Sequence, residues 1–433
     1  MNNIILSPTD VLFFRDGRPM DGASSGQGAA WPLPHIINAA FHAALHRAEI
    51  TDVHLHKQER RKADTRDQKF GCLNTIGPFP VRSKDGAWFF PRPLDAGLRS
   101  SSETTYEPRA PIGSSSLPGD LLPVMNKRTP RKETAEAWMS RTAYEAYLAG
   151  AKAETTSNHF LDDADVFHAE HNIGIGIDNT RDATKEGAFY SAAYLRLKQG
   201  WELGACAVAN DKIDGDKHNR RDLIEDLIQP ESRLLVGGQQ RTCTARLAEE
   251  PELCLPRAQK IQGGRVRFTL LTPAVFPEIH KGKDSDRKLI HHGGWLPNWI
   301  DPETLEVQLL NGLGIAKAKR LGKEPGKPIR AKLVSALVGR PVPVTGWALG
   351  LSSGRSDKGP KSTHLATPAG SVYYFEALGD TKEEKQAQAS KLATTLNWHG
   401  SDPDASQVLN RRSTLYGEKG FGLGLCSPWT PVS

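Results

Sequence analysis

Near its start the sequence reads Ser7-Pro8-Thr9-Asp10-Val11-Leu12-Phe13-Phe14-Arg15-Asp16-Gly17-Arg18-Pro19, which joins an apolar stretch directly to a charged turn. Residues 11–14 favour a strand, whereas residues 15–18 favour a loop that Pro19 fixes. Two arginines on either side of an Asp-Gly turn, at the end of a buried strand, present rigid and permanently charged side chains. Such side chains suit phosphate groups or base edges. This stretch therefore predicts a binding surface rather than a catalytic centre.

The composition is that of a folded protein with many loops. Of the 433 residues, 38% are hydrophobic and 24% are charged, while 40 are glycine and 29 are proline. One hydrophobic core rarely serves more than about 250–300 residues, so we expect two domains. The glycines and prolines indicate long loops between strands.

Strands and helices alternate along the chain. The sequence predicts a strand over residues 3–14, a helix over 34–48, consecutive antiparallel strands between 172 and 209, and a helix over 381–397. Strand-then-helix units within antiparallel sheets indicate an α+β protein. We expect two ferredoxin-like (RRM-type) βαββαβ domains with long loop insertions.

The predicted domain boundary lies near residue 165. We expect an N-terminal ferredoxin-like domain over residues 1–165, with an insertion over about 54–164 that begins in a polar, highly charged stretch. The C-terminal ferredoxin-like domain then spans residues 166–433. It contains a basic insertion over about 280–335 and ends in a glycine-rich loop.

Basic residues are clustered rather than evenly spread. The formal net charge is +6, and residues 317–332 carry seven cations against the single acid Glu324: Lys317, Lys319, Arg320, Lys323, Lys327, Arg330 and Lys332. Clusters of this kind favour a polyanionic partner such as a nucleic acid. A solvated loop without a partner is the alternative, because charge runs often only keep a chain soluble.

Cysteine usage and hydropathy indicate a protein of the reducing cytoplasm. The 5 cysteines are an odd number and show no Cys-x-x-Cys spacing, so the sequence predicts neither a disulfide framework nor a zinc finger. No export signal and no membrane span are predicted, because no run of about 18 apolar residues occurs.

A glycine-rich motif, Gly420-Phe421-Gly422-Leu423-Gly424, lies near the C-terminal end of the sequence. It lacks the Gly-Lys-Ser/Thr ending of a nucleotide-binding P-loop, so an NTPase is not indicated. Successive glycines allow backbone N–H groups to approach a phosphodiester or a base, and Lys419 and Phe421 add a charge and a stacking surface. A tight turn between strands is the structural alternative.

Histidine and aspartate clusters do not predict a metal site. His42 and His46 have a spacing that could ligate a metal, but no third ligand is evident. His159, His168 and His171 cluster in sequence without a nucleophile beside them. The acidic run 162–165 lacks the spaced glycine and terminal glutamate of a calcium loop.

Six blocks in a fixed order resemble a known family. They are residues 8–19, residues 172–178 leading to 186–190, Val236-Gly237-Gly238-Gln239-Gln240-Arg241, residues 271–276, residues 368–375 and the terminal glycine loop 420–424. Together they resemble the family that supplies the third subunit of the type III-B CRISPR effector complex, Cmr, within the RAMP superfamily. Gln239 departs from the family pattern, in which an acidic residue commonly follows the paired glycines.

The resemblance implies a role in RNA capture without catalysis. Its partners would be the repeat-derived 5′ tag of the CRISPR RNA, the large polymerase-like Cmr subunit and the backbone Cmr subunit, with no cofactor and no membrane. Single-stranded RNA is typically bound by arginines, glycines and aromatic residues on sheet faces and loops. The candidate RNA-binding residues are Arg15, Asp16, Arg18, His35, Gly237, Gly238, Arg241, Lys419, Gly420, Phe421, Gly422 and Gly424.

Two alternatives remain at the level of sequence. Other RAMP proteins are metal-independent endoribonucleases that process precursor CRISPR RNA with a histidine as general acid or base, and His35 would be the candidate here. A protein-only structural adaptor is the other alternative, in which the basic clusters face solvent.

Overall fold

The computed structural model describes residues 1–14, 31–48, 72–109, 117–118, 121–127, 134–150, 158–178, 183–212, 220–250, 252–282, 287–348, 359–402 and 404–431. These residues form a mixed α/β fold with many strands and few helices. The helices are α1 (Pro34–Arg47), α2 (Arg141–Leu148), α3 (Asp163–Val166), α4 (Leu223–Leu227), α5 (Ile315–Leu321) and α6 (Lys382–Leu396).

The strands are mostly short. They are β1 (Asn2–Pro8), β2 (Leu73–Arg82), β3 (Ala87–Pro91), β4 (Tyr106–Pro108), β5 (Val124–Asn126), β6 (Trp138–Ser140), β7 (Phe160–Leu161), β8 (Phe167–Asp178), β9 (Ala183–Leu197), β10 (Trp201–Lys212), β11 (Arg220–Asp222), β12 (Arg233–Leu235), β13 (Thr242–Leu247), β14 (Arg265–Leu270), β15 (Ala274–Val275), β16 (Ile279–Lys281), β17 (Lys288–His291), β18 (Leu310–Asn311), β19 (Lys327–Pro328), β20 (Ala331–Leu337), β21 (Val342–Val344), β22 (Trp347–Ala348), β23 (Gly359–Pro360), β24 (His364–Thr367), β25 (Val372–Ala377) and β26 (Gly424–Ser427).

The first sheet has nine strands in the order β12-β13-β1-β10-β2-β3-β6-β7, with β11 also paired to β10. Strand β1 lies at its centre and pairs antiparallel with β10 on one side and with β13 on the other. Ile4 and Leu6 belong to the apolar core on the α1 side of the sheet, whereas Ile5 belongs to the core on the opposite side. Because both faces are buried, β1 reads as a continuous apolar run rather than as an alternating one.

Strand pairing in this sheet crosses the predicted domain boundary. Residue 165 precedes β10 and β13, which both pair with β1. Strand β2, which the predicted insertion over 54–164 includes, also pairs with β10. The predicted boundary therefore falls inside the first sheet, since hydrogen bonds join strands from both sides of it.

The second sheet has four antiparallel strands in the order β20-β25-β14-β26. Helix α6 covers one face, where Ala389, Leu392 and Leu396 share an apolar core with Phe268 and Phe375. Thr381 caps α6 by accepting a hydrogen bond from the backbone N–H of Glu384 at 3.1 Å. This side-chain cap satisfies one of the N–H groups that a helix start leaves unpaired.

Helix α1 packs on the first sheet through one stripe of its surface. Pro34 begins the helix, where its fixed φ and missing N–H carry no penalty. Ile37, Phe41, Ala44 and Leu45 are buried, and their spacing is that of a single helical face. The helix predicted over residues 34–48 is thereby confirmed.

Strands β8 and β9 form a separate two-stranded sheet. Its base is held in the first core by Phe167 and Leu195, and Leu195 also bridges to Leu12. Farther along, Ile173 is 70% exposed. Among the helices that the structure describes, none is long and apolar enough to cross a membrane.

Candidate nucleic-acid interface

The paired glycines at 237 and 238 lie against the end of the first apolar stretch. The Gly238 N–H donates to the carbonyl of Phe13 at 2.8 Å. Gly237 has a φ of +83°, and a Cβ there would lie 2.5 Å from the same carbonyl oxygen. Only glycine fits so close to a neighbouring backbone. The structure thus brings two sequence blocks, separated by more than 200 residues, into direct contact.

The turn that follows holds two non-glycine residues in the left-handed region. Gln239 and Gln240 have φ values of 56° and 53°. Each such residue costs roughly 1–3 kcal/mol, and strained positions of this kind cluster at functional loops. The Tyr194 hydroxyl donates to Oε1 of Gln239 at 2.6 Å, which fixes the turn. Gln239 therefore accepts a hydrogen bond through its neutral amide oxygen.

Arg241 is held at the base of this turn by two partners. Its guanidinium lies 3.3 Å from Oδ2 of Asp10 and 5.3 Å from the centre of the Tyr194 ring. Its Nε is buried and has no hydrogen-bond partner among the residues that the structure describes. Asp10 also pairs with Arg196 at 3.0 Å, and Arg196 pairs with Glu170 at 2.6 Å. Two arginines and two carboxylates thus form a charge-balanced group beside the turn.

The terminal glycine loop packs closely against its own chain. Gly420 and Gly422 have φ values of +92° and +77°. A Cβ on Gly422 would lie 2.1 Å from the Ser413 backbone nitrogen, and one on Gly420 would lie 2.7 Å from the carbonyl oxygen of Thr75. A Cβ on Gly424, within β26, would lie 2.3 Å from the Phe268 ring. Intramolecular packing alone therefore requires these three glycines.

Phe421 is completely buried and contacts two aromatic rings. Its ring centre lies 5.7 Å from that of Tyr416 and 6.2 Å from that of His35, with the His35 ring nearly parallel to it. The Lys419 ammonium lies 4.7 Å from the centre of the Tyr416 ring. Phe421 consequently supports the loop from beneath and cannot present its face to a base in this arrangement.

His35 lies in the first turn of α1 and is half-buried beside this loop. Burial lowers its pKa to about 4, and the positive charge of Lys419 adds to the effect. Its Nδ1 is buried without a hydrogen-bond partner among the described residues. The imidazole is therefore uncharged at neutral pH.

Helix α1 lies between the elements that carry the two groups of candidate residues. Strand β12, which leads into the Gly237-Gly238 turn, packs on the side of α1, and the 3-10 turn Gly417–Lys419 packs against α1 as well. His35 meets the terminal loop, while Gly237 and Gly238 meet Phe13, which lies beyond the end of β1, and Arg241 pairs with Asp10. The three remaining candidates, Arg15, Asp16 and Arg18, lie outside the described residues.

The sequence matches a known family over almost its whole length. The family model for CRISPR-associated protein (Cas_Cmr3) matches residues 4–429. The chain belongs to the Cas_Cmr3 family. This identification agrees with the resemblance of the six sequence blocks. No curated protein sequence matches the chain.

Three solved structures are similar to this Cas_Cmr3 protein at low sequence identity. A chain of type III-B Cmr-beta bound to cognate target RNA is 14% identical, covers 90% of this chain and 94% of its own length, and has a TM-score of 0.40. The same kind of complex bound to cognate target RNA and AMPPnP gives 13% identity, 86% coverage of both chains and a TM-score of 0.40. The Csm3–Csm4 subcomplex of a type III-A CRISPR-Cas interference complex gives 10% identity, coverage of 89% and 96%, and a TM-score of 0.33.

Sequence reasoning missed one residue of this Cas_Cmr3 loop. Tyr416 has a φ of 63° and contacts Phe421, Lys419 and His364. A bulky residue in the left-handed region is a genuine outlier that surrounding contacts must maintain. An aromatic residue three positions before the predicted Lys419 was the available signal.

Proposed function

We propose that this Cas_Cmr3 protein is a non-catalytic RNA-binding subunit of a type III-B CRISPR ribonucleoprotein. In this role it captures the 5′ repeat-derived tag of the CRISPR RNA and links the large polymerase-like subunit to the backbone subunit in antiviral defence. The observation that carries the proposal is the contact between Phe13 and Gly238, because it joins two of the family-like blocks into one surface.

The RNA-contacting side chains follow from this contact. Arg15 comes directly after Phe14 in the sequence, and Arg241 lies beside the turn that receives Phe13. We propose that Arg15 and Arg18 contact tag phosphates or bases, and that Asp16 orients them. Arg241, with Gly237 and Gly238, supports this surface. A guanidinium that is already held in place loses little conformational freedom on binding.

The terminal loop and His35 form the second part of the proposed interface. We propose that Lys419 and the backbone of Gly420, Gly422 and Gly424 lie along the RNA. Phe421 and His35 act from beneath by fixing the shape of the loop. The near-parallel stacking of the two rings and the complete burial of Phe421 favour this role.

The strand orders support two ferredoxin-like domains of RRM type. In the first sheet, β13-β1-β10-β2 are the fourth, first, third and second strands of a βαββαβ unit whose helices are α1 and α4. In the second sheet, β26-β14-β25-β20 have the same order, with α6 between the third and fourth strands. Both orders are those of the ferredoxin-like arrangement. We place the division between the domains after Leu247 and before Arg265.

A non-catalytic role is supported by the surroundings of His35. The pKa of about 4 leaves its imidazole uncharged and weakly basic, so it is poorly suited both to donate and to accept a proton at neutral pH. The basic surface and the family indicate the cytoplasm, where the guide RNA is available. Specific cleavage of repeat RNA in EDTA by the purified protein, lost in His35→Ala, would overturn this part of the proposal.

The test measures recognition of the tag by the assembled complex. RNA carrying the tag is compared with RNA of equal length and scrambled tag, using the Arg15→Ala/Arg18→Ala variant. We expect the affinity ratio between the two RNAs to fall at least about tenfold, because each good bidentate arginine contact is worth about 1–3 kcal/mol. Arg246→Ala is the matched control, since Arg246 is exposed and pairs with Glu202 at 2.8 Å. An unchanged affinity for both RNAs, with an unchanged salt dependence, would reject the proposed contacts, whereas an equal loss of affinity for both RNAs would assign the contacts to phosphates, which carry no sequence information.

A further inference from the structure

Residues 312–326 form a compact insertion that leaves and rejoins the chain beside the second sheet. Strands β18 and β19 pair at its base, with Asn311 opposite Lys327. The Gly326 N–H donates to the carbonyl of Leu313 at 2.8 Å, which closes the base further. Helix α5 lies within this insertion and is anchored by Ala318, which is completely buried. The insertion is therefore a folded surface feature whose two ends are held together by hydrogen bonds.

Its surface is strongly cationic. Five side chains are exposed and form no ion pair with the residues that the structure describes: Lys319, Arg320, Lys323, Lys327 and Arg330. Glu324 is the one acid between residues 319 and 330. By contrast, the arginines beside the Gly237-Gly238 turn are balanced by carboxylates.

Helix stabilisation accounts for only part of this charge. Lys319 and Arg320 lie in the last turn of α5, where cations complement the helix dipole. Lys323, Lys327 and Arg330 lie beyond Gly322, which ends the helix with a φ of 61°. The Lys323 N–H still caps α5 by donating to the carbonyl of Ala318 at 3.0 Å, but Lys327 and Arg330 have no helix terminus to stabilise, so their charges favour an external anion.

The apolar residues of α5 do not form a protein-docking stripe. Ile315 and Leu321 are 69% and 49% exposed. Each residue rotates a helix by about 100°, so these two side chains lie about 120° apart around the axis. A partner protein would need one continuous apolar face. The exposed surface is instead dominated by lysine ammonium and arginine guanidinium groups, which suit phosphate groups.

The cationic surface and the terminal glycine loop contact different turns of α6. The Arg330 N–H donates to Oε1 of Gln388 at 3.1 Å. Arg412, whose backbone N–H donates to the carbonyl of Gly422 at 2.7 Å, donates from its Nε to the carbonyl of Thr395 at 2.9 Å. Gln388 and Thr395 are seven residues apart on α6, which corresponds to about 10 Å along the helix. We infer that residues 319–330 form a second nucleic-acid contact, which binds the phosphodiester backbone without reading its sequence.

The experiment uses the full chain and a probe without a tag. Binding of a labelled oligouridylate of about 20 nucleotides, and of the matching oligothymidylate, is measured at several salt concentrations. The variant Lys319→Gln/Arg320→Gln/Lys323→Gln/Lys327→Gln should lower the steepness of log K against log salt by about 2 to 3, because each phosphate contact on a single strand contributes roughly 0.7. Both probes should be affected equally, since phosphates are common to them. The affinity at about 0.1 M salt should fall at least about tenfold.

A charge-matched control separates a defined surface from net charge. The variant Lys84→Gln/Lys198→Gln/Lys260→Gln/Lys382→Gln removes four exposed cations that are scattered over the molecule. We expect the slope of log K against log salt to change in this control by less than half of the change in the Lys319→Gln/Arg320→Gln/Lys323→Gln/Lys327→Gln variant. An equal decrease of the slope in both fourfold variants, or an unchanged slope in the variant of residues 319–327, would overturn the inference. Loss of association with a Cmr subunit, with normal oligonucleotide binding, would overturn it as well.

Single substitutions cover the case in which the fourfold variant does not fold. Lys323→Gln and Lys327→Gln lie outside α5, and each should lower the slope by about 0.7, while Lys323→Arg and Lys327→Arg should keep it. No change in either glutamine variant would reject these contacts. Because the probe lacks the tag, the result is independent of the tag proposal.

Discussion

Gly422 shows how strongly a single residue in the terminal loop is constrained. We expect Gly422→Ala to lower the free energy of unfolding by about 3 kcal/mol or more, because left-handed backbone and steric overlap each add about 1–3 kcal/mol. Gly200→Ala is the matched control: its φ is +84°, but no atom lies within 4 Å of the added Cβ. That variant should lose only about 1 kcal/mol. Urea denaturation measures both values, and equal losses would mean that crowding at Gly422 is unimportant.

His35 predicts a pH dependence of stability. Burial, with Lys419 adding to it, lowers the pKa of His35 to about 4 from an ordinary value of 6.5. The unfolded chain therefore binds more protons between these two values, so the stabilisation is complete above about pH 6.5 and is lost as the pH falls towards 4. His35→Gln should reduce the loss of unfolding free energy between about pH 7 and pH 5 by about 2 kcal/mol.

The control for this measurement is His292→Gln, since His292 is exposed. It should leave the pH dependence of the unfolding free energy as in the unmodified protein. The same pH dependence in the His35 variant as in the control would show that His35 does not titrate in this range.

At the scale of elements, a buried network joins the segment after β3 to the second sheet. Arg267 on β14 pairs with Asp95 at 2.9 Å, and the side chains are 3% and 0% exposed. Tyr147 on α2 and Tyr374 on β25 donate to the same carboxylate at 2.8 and 2.9 Å. The Arg267 guanidinium also lies 4.2 Å from the centre of the Tyr147 ring. The network therefore holds α2 and the two sheets together.

Removal of the carboxylate from this network should be severely destabilising. Asp95→Ala leaves the Arg267 charge buried without its partner, which typically costs about 3–5 kcal/mol of unfolding free energy. The matched control is Asp404→Ala, because Asp404 pairs with Arg257 at 3.1 Å but is 86% exposed. Exposed pairs contribute roughly 0–1 kcal/mol. Chemical denaturation of both variants checks the difference, and a loss below about 1 kcal/mol for Asp95→Ala would refute the role of the network.

Local patterns predicted elements but could not predict their partners. Helix α1 follows from the spacing of Ile37, Phe41 and Leu45, which the sequence displays directly. The pairing of β1 with β13 joins segments more than 230 residues apart, so no local pattern signals it. The role of Asp95 was equally invisible, because it depends on Arg267 and Tyr374, which are distant in sequence.

The candidate site was predicted in part for the same reason. The glycines at 420–424 were read as sites of close approach to RNA, but they pack against Ser413, Thr75 and Phe268. Packing within the chain therefore accounts for these glycines, and their contact with RNA stays a proposal. For Arg15, Asp16, Arg18 and the tag itself, the RNA-binding role stays a proposal.

At the scale of the whole molecule, one core connects both sheets. Ile5 and Ile76 of the first sheet share it with Leu425 of the second sheet and with Leu271 and Trp398, which follow β14 and α6. Helix α1 also links the two regions, because it packs on β12, which precedes the Gly237-Gly238 turn, and on the 3-10 turn Gly417–Lys419 of the terminal loop. This arrangement suits an interface that holds one end of a strand of RNA at two points.

The most direct test is cross-linking of the tag in the assembled complex. A photoreactive uridine analogue is placed at successive tag positions, and the cross-linked peptides are identified by mass spectrometry. We predict cross-links within residues 10–18, 237–241 or 416–424 of this chain. Tag cross-links found only on other subunits, or only on distant parts of this chain such as α6, would contradict the account.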